Sequence, residues 1–259
     1  MTNESQVPAL WTPNTFDKGT DLLPVHAAGS RSTRGQENVR SEDLVLPVIK
    51  LLQGMSPEVT EQTVEGAVPG AFLHTGVQEV FKGPLRVLVC AHTRSRALFP
   101  NDKDDDYDGL EQCLSRDGKE GSTYGSCDAC HHTEWRPDRK PPLCSEAHNF
   151  TVLTSYGPAI LRFSKRSMPS ARNFLTTWTM SGKDIWMHPA VISTKQHVDV
   201  VDQRGTKATN YSLEIRWQAR EDVPPAAQQA ALSIYETVSS ANDAGKFGGN
   251  DEGASDIPF

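Results

Sequence analysis

Leu85-Arg-Val-Leu-Val-Cys-Ala-His92 is the stretch that decides the fold class. It is apolar on both faces near its middle, and it carries branched Val87 and Val89 without Gly or Pro. A run so short and so apolar predicts a buried β-strand, since a helix needs a longer periodic pattern. Similar pieces lie on both sides of it. Upstream, Ala71-Phe-Leu-His74 and Gln78-Glu-Val-Phe81 surround Gly76, and Leu44-Val-Leu-Pro-Val-Ile-Lys-Leu-Leu52 is the first apolar segment. Pro47 within that segment marks an edge strand or a broken element. Downstream, Asn149–Tyr156 and Ala159–Ser164 are strand-like around a Gly157-Pro158 turn. Ala190–Ser193, His197–Val201 and the alternating Tyr211–Trp217 add further strands. Residues 167–180 predict a helix with Met168, Ala171, Leu175 and Trp178 on one face. Pro224-Pro225 opens a second helix near 226–241. The expected fold is mainly antiparallel β with one or two helices (α+β). A small closed or partly open barrel of the OB type fits, with a β-sandwich as the alternative.

Composition bounds this picture. The chain has 259 residues, 37% hydrophobic and 23% charged, which suits one fair-sized domain with appendages. Its 19 Gly and 17 Pro are ordinary usage, so it is neither collagen-like nor wholly disordered. No apolar run approaches the ~20 residues of a membrane helix, and the first residues show no secretory signal. The expected organisation is a flexible arm over 1–41, a β-domain over 42–241 interrupted by a polar insertion at 101–148, and a disordered acidic tail over 242–259.

The insertion holds four of the five cysteines, Cys113, Cys127, Cys130 and Cys144. The Cys127-Asp-Ala-Cys130 knuckle can place two thiolates on one metal, and the outer pair can complete a tetrahedron. Four soft ligands in a closed set point to structural Zn2+ in a zinc-ribbon-like insertion. His131, His132 or His148 could replace one sulfur. Free thiols are the alternative. Cys90 reads as a core residue. There is no HExxH motif, and four protein ligands leave no open catalytic position, so an enzyme is not expected.

The formal charge of −7 is unevenly spread. Residues 150–220 carry ten basic side chains against four acidic ones, whereas 221–259 carry seven acidic against one basic. A further acidic run spans Asp102–Asp108. Aromatics interleave with the basic stretch. Single-stranded nucleic acid binding needs this mixture, because cations track phosphates while flat rings stack on bases. The candidate contacts are Arg162, Lys165, Arg166, Arg172 and Lys195 for phosphates, and Phe163, Trp186 and Tyr211 for bases.

The sequence closes on Asp256-Ile257-Pro258-Phe259 after a Gly-, Asn- and Asp-rich stretch. An apolar tip on an acidic tether can enter a pocket rimmed by cations. In this the chain resembles bacterial single-stranded DNA-binding proteins and some of their phage counterparts, whose acidic tails close on the same four residues. The rest of the chain is longer than the compact bacterial protein and more like phage-encoded members that vary around an OB core. The resemblance implies a non-catalytic protein of the bacterial or host cytoplasm. It would protect single-stranded DNA in replication, recombination and repair. Its tail would recruit replication and repair proteins and compete with DNA for the groove. An adaptor or inhibitor that occupies host replisome proteins through the tail is the alternative. The oligomeric state is open, a homo-oligomer included.

Overall fold

The computed structural model describes residues 45–100, 109–137, 139–200, 207–218 and 223–243. The expected arm at 1–41, the acidic run at 102–108 and the tail tip Asp256–Phe259 lie outside them. Among the described residues eleven short to medium strands and three α-helices make a mainly β architecture with antiparallel ladders.

Strand β4 (Leu85–Leu98) organises the main sheet. Val89 pairs with Val152, but the next pair is Ala91 with Thr151, so Cys90 is an extra residue in the strand. Such a bulge bends a strand and sharpens its twist. On one edge, Leu85–Val87 pair with β10 (Ala190–Val200); on the other, the strand runs along β8 (Ser145–Thr154). Strand β9 (Gly157–Ser164) folds back on β8, and β11 (Lys207–Trp217) folds back on β10. The order is β11-β10-β4-β8-β9, with the short β5 (Cys113–Ser115) on the far end of β4.

Counting helices in chain order, α1 (Pro57–Thr60) is a single turn and α2 (Met168–Ser181) joins β9 to β10. Gly182, left-handed at φ 64°, ends α2, as a residue without Cβ does most easily. Helix α3 (Pro225–Asp243) packs against β4 through Ala227 and Ala231. Among the described residues no helix is long and apolar enough to cross a membrane.

The sheet curls, but it does not close into a barrel by strand pairing between β9 and β11. Strand β1 (Ile49–Leu51), which also pairs with β2 (Phe72–His74) and through it β3 (Glu79–Phe81), lies in that gap. On the β9 side Ile160 N–H donates to the Pro47 carbonyl at 2.8 Å. On the β11 side there is no ladder. The N–H of Tyr211 donates to Gln53 Oε1, that of Leu213 to Ser167 Oγ and that of Ile215 to Ser170 Oγ, all at 2.9 Å. Gln53 Nε2 returns a bond to the Tyr211 carbonyl, also at 2.9 Å. A buried N–H without an acceptor is costly, so these side-chain oxygens do the work of a missing strand.

The core lies inside the curl. Phe150 is fully buried and meets Phe163 and Phe174 edge-on, with ring centroids at 5.3 and 5.6 Å. Leu88, Val89, Leu161, Ile192 and Ile215 surround them. Leu52, Ala71 and Leu73 form a smaller cluster beneath β1 and β2.

Both features make stability predictions for denaturant unfolding. Phe150→Ala should cost about 3–5 kcal/mol through the cavity it leaves. Gln53→Ala should cost about 1–3 kcal/mol by orphaning the Tyr211 N–H. Lys195→Ala, at an exposed site, should stay within about 0.5 kcal/mol. A Gln53→Ala protein as stable as the parent would mean that the seam does not depend on this clamp.

Candidate nucleic-acid interface

The basic candidates fall on two outer edges of the sheet. Strands β10 and β11 pair along all eleven residues, yet only Ala190–Ile192 also touch β4. The outer part of the hairpin is therefore a two-stranded ribbon. Lys195 is exposed on it. On the opposite face, alternation places Gln196, Val198 and Val200 beside Tyr211, Thr209 and Lys207. Val198 and Val200 are 56% and 66% exposed, unusual for a Val pair in a short hairpin. Tyr211 is half-buried, and its ring lies over Gly70, where a Cβ would come within 2.6 Å of it. At φ +83° Gly70 also takes a backbone that favours glycine.

Arg166 and Arg172 are exposed but engaged. Arg166 grips Asp199 on the ribbon with Nη1–Oδ2 at 2.8 Å and Nη2–Oδ1 at 3.0 Å, and Asn210 Nδ2 adds a bond to the same carboxylate. The Arg166 bond, with that from Asn210, holds the Asp199 carboxyl below the usual carboxylate range. Arg172 on α2 reaches Glu146 at 3.3 Å, and Arg94 reaches the other oxygen of Glu146 at 3.8 Å. Arg162 on β9 is half-buried and stands opposite Asn149 of β8. Lys165 follows β9 with a left-handed backbone at φ 49°.

Two of the expected stacking rings are not available. Phe163 is fully buried against Phe150, because its place in β9 points it into the curl. Trp186 is buried in the turn after α2, with its ring 5.3 Å from Tyr235 of α3. Both are core residues, a correction to their reading as base contacts. The most exposed Trp, Tyr or Phe ring among the described residues lies outside the expected contacts. Trp135, in the insertion, is 70% exposed within Trp135-Arg-Pro-Asp-Arg-Lys140. A Trp among basic residues and a Pro turn was the signal, hidden by the insertion's overall acidity.

In the insertion, β6 (Glu120–Gly121) and β7 (Gly125–Ser126) form a minimal hairpin. Among the described residues, no three His, Cys, Asp or Glu side chains stand as a formed metal site. Cys90, by contrast, lies at the β4 bulge, fully buried, and burial pushes its thiol far up.

A family model for Pam3 phage gp34-like protein matches residues 17–243. The chain belongs to the Pam3 phage gp34-like family. That family takes its name from a phage protein. No curated protein and no solved structure matches the chain. In this gp34-like chain the matched span includes the sheet, the insertion and α3, and stops before Asp256–Phe259.

Arg94, Arg172 and His148 line a shallow hollow between the sheet and α2. Beside it His92 Nε2 and His148 Nδ1 share one hydrogen bond of 2.8 Å, while the buried Nε2 of His148 has no hydrogen-bond partner among the described residues. Burial, with His148 and Arg94 adding repulsion, pushes the His92 imidazole down to about 4, and burial lowers His148 as well. The folded pair is therefore neutral where an unfolded His, titrating near 6.5, would be charged. The unfolded chain binds more protons below that pH, so stability falls as pH drops from about 6.5 to about 4. For His92 alone the loss is on the order of 3 kcal/mol. His92→Phe should flatten the stability profile across that window in denaturant titrations. An unchanged acid slope would assign the sensitivity elsewhere.

Proposed function

We propose that this gp34-like chain is a non-catalytic single-stranded DNA-binding protein. The strand layout carries the reading. A long bent strand, β4, is shared by β8–β9 on one edge and β10–β11 on the other, and α2 joins β9 to β10. We read this as the connectivity of an OB barrel, with β1 and side chains filling the seam. OB folds bind oligonucleotides on the face of their second and third strands and at the loops between strands one and two and between four and five. The corresponding places are β8–β9, the cysteine-rich insertion and the β10–β11 ribbon. They carry Arg162, Trp135 with its basic neighbours, and Lys195, Tyr211 and Lys207.

In this reading Lys207, Arg162 and Lys165 meet phosphates, Lys195 meets them where the strand wraps to the ribbon's other face, and Trp135 and Tyr211 offer ring faces. Arg166 and Arg172 already hold Asp199 and Glu146, so DNA would have to exchange a phosphate for a carboxylate at each. The sequence Asp256–Phe259 would dock replication or repair proteins. The resemblance in those four residues supports that role, and the acidic tether would lie on the basic face until DNA displaces it and frees the tip.

Oligo-dT titration of tryptophan fluorescence tests the reading. Binding should favour the single strand over a duplex and weaken steeply with salt. Trp135→Ala should weaken it about tenfold, within the range for one stacked base. Lys195→Ala with Lys207→Ala should lower the salt slope by about two phosphate contacts. A chain ending at residue 243 should keep its DNA affinity and lose partner capture. No single-strand preference at low salt, with partner capture by the tail intact, would sink the proposal in favour of the adaptor.

A further inference from the structure

The insertion between β4 and β8 is a folded segment without a core. Among its described residues 109–144, the buried side chains are Cys113, Ser115, Cys127 and His132. No Leu, Ile, Val or Phe is buried there, so apolar burial cannot account for its shape. What does converge there is sulfur. A Cβ at Gly121 would lie 2.6 Å from Cys113 Sγ, too close for a side chain, and 4.0 Å from Cys127 Sγ, an ordinary contact, so both sulfurs flank one point that glycine leaves open.

The backbone brings in the other two cysteines. Cys130 N–H donates to the Cys127 carbonyl at 3.4 Å, closing a tight turn. Thr133 Oγ1 donates to the Cys130 and Cys127 carbonyls at 2.7 and 3.3 Å and fixes that turn. Cys144 N–H donates to the His132 carbonyl at 2.9 Å, seating Cys144 beside it.

We propose that Cys113, Cys127, Cys130 and Cys144 bind one Zn2+ ion as a closed four-thiolate site that braces the insertion. The thiols converge without forming a tight ligand set. Cys130 and Cys144 are only half-buried, so rotation about Cα–Cβ can bring their sulfurs inward. Each ligating thiol gives its proton to solvent, and the ion replaces it. Zinc suits four soft donors with no open position, which assigns the site to structure and not to hydrolysis. His148 Nδ1 is committed to His92, whereas the buried Nδ1 of His132 has no hydrogen-bond partner among the described residues, so His132→Ala below separates its ring from the four sulfurs.

The test is elemental analysis of the full chain purified without chelator. About one zinc per chain is expected. Serine at each of 113, 127, 130 and 144 should lower retained zinc by about tenfold or more, while Cys90→Ala and His132→Ala should keep it. Because a variant can fail to fold, the unaltered protein supplies a second readout: four thiols should resist a thiol reagent until a strong chelator is added. Co2+ in place of zinc should give the visible absorption of tetrahedral cobalt thiolate. A metal-free folded protein, thiols equally reactive with and without chelator, bound iron, or zinc retained in Cys144→Ser would overturn the proposal. The readouts do not involve DNA, so they stand or fall apart from strand binding.

Discussion

Three amide groups on one strand edge set the terms for this fold. Tyr211, Leu213 and Ile215 present N–H groups on the side of β11 where a closing strand would sit. Gln53, Ser167 and Ser170 each supply one oxygen, and with them come β1 and the first turn of α2. The seam is thus closed by side chains from two separated segments. An open edge would invite pairing with another chain, and this arrangement blunts it without a full ladder. The same contacts place α2 over the mouth of the curl and leave the outer half of the β10–β11 ribbon beyond it.

The second theme is local compensation of charge. The basic stretch looks uncompensated along the chain, but in space Asp199 comes to Arg166 and Glu146 comes to both Arg94 and Arg172. Exposed pairs of this kind add little stability. They do hold guanidinium groups in place along the rims of α2 and the ribbon. Exposed cations also stand on the ribbon, at Lys195 and Lys207, and beside Trp135, at Arg139 and Lys140.

Much of the fold was legible in the chain itself. The strands around Leu85–His92, α2 and α3 follow from periodicity, because their patterns are local; the turn after β8 falls on Ser155-Tyr156, just before the expected Gly157-Pro158, which open β9 and pair with Thr154 and Leu153. Cys90 reads as core for the same reason. The seam was not legible, since nothing near Gln53 announces that its amide will serve β11. Phe163 and Trp186 misled because a ring beside Arg or Lys looks the same in sequence whether it faces in or out. The alternation Ala159, Leu161, Phe163 was the better guide. Trp135 was overlooked because net charge averaged over an insertion erases a six-residue basic cluster. In the insertion the cysteine spacing was plain, but the glycine that makes room for two sulfurs only acquires meaning in three dimensions.

The seam also bears on the order in which the molecule can assemble. The β8–β9 and β10–β11 hairpins join neighbours in sequence and close small loops. The Gln53 clamp on Tyr211 joins residues 158 positions apart. Loop-closure entropy makes such a contact rewarding only after most of the chain is in place. The hairpins and α2 therefore form a platform first, and the segment around β1 docks last, like a latch. A latch that closes last is also the one that opens first, so the earliest excursions from the native state should begin between β1 and β11, with the aromatic core still intact.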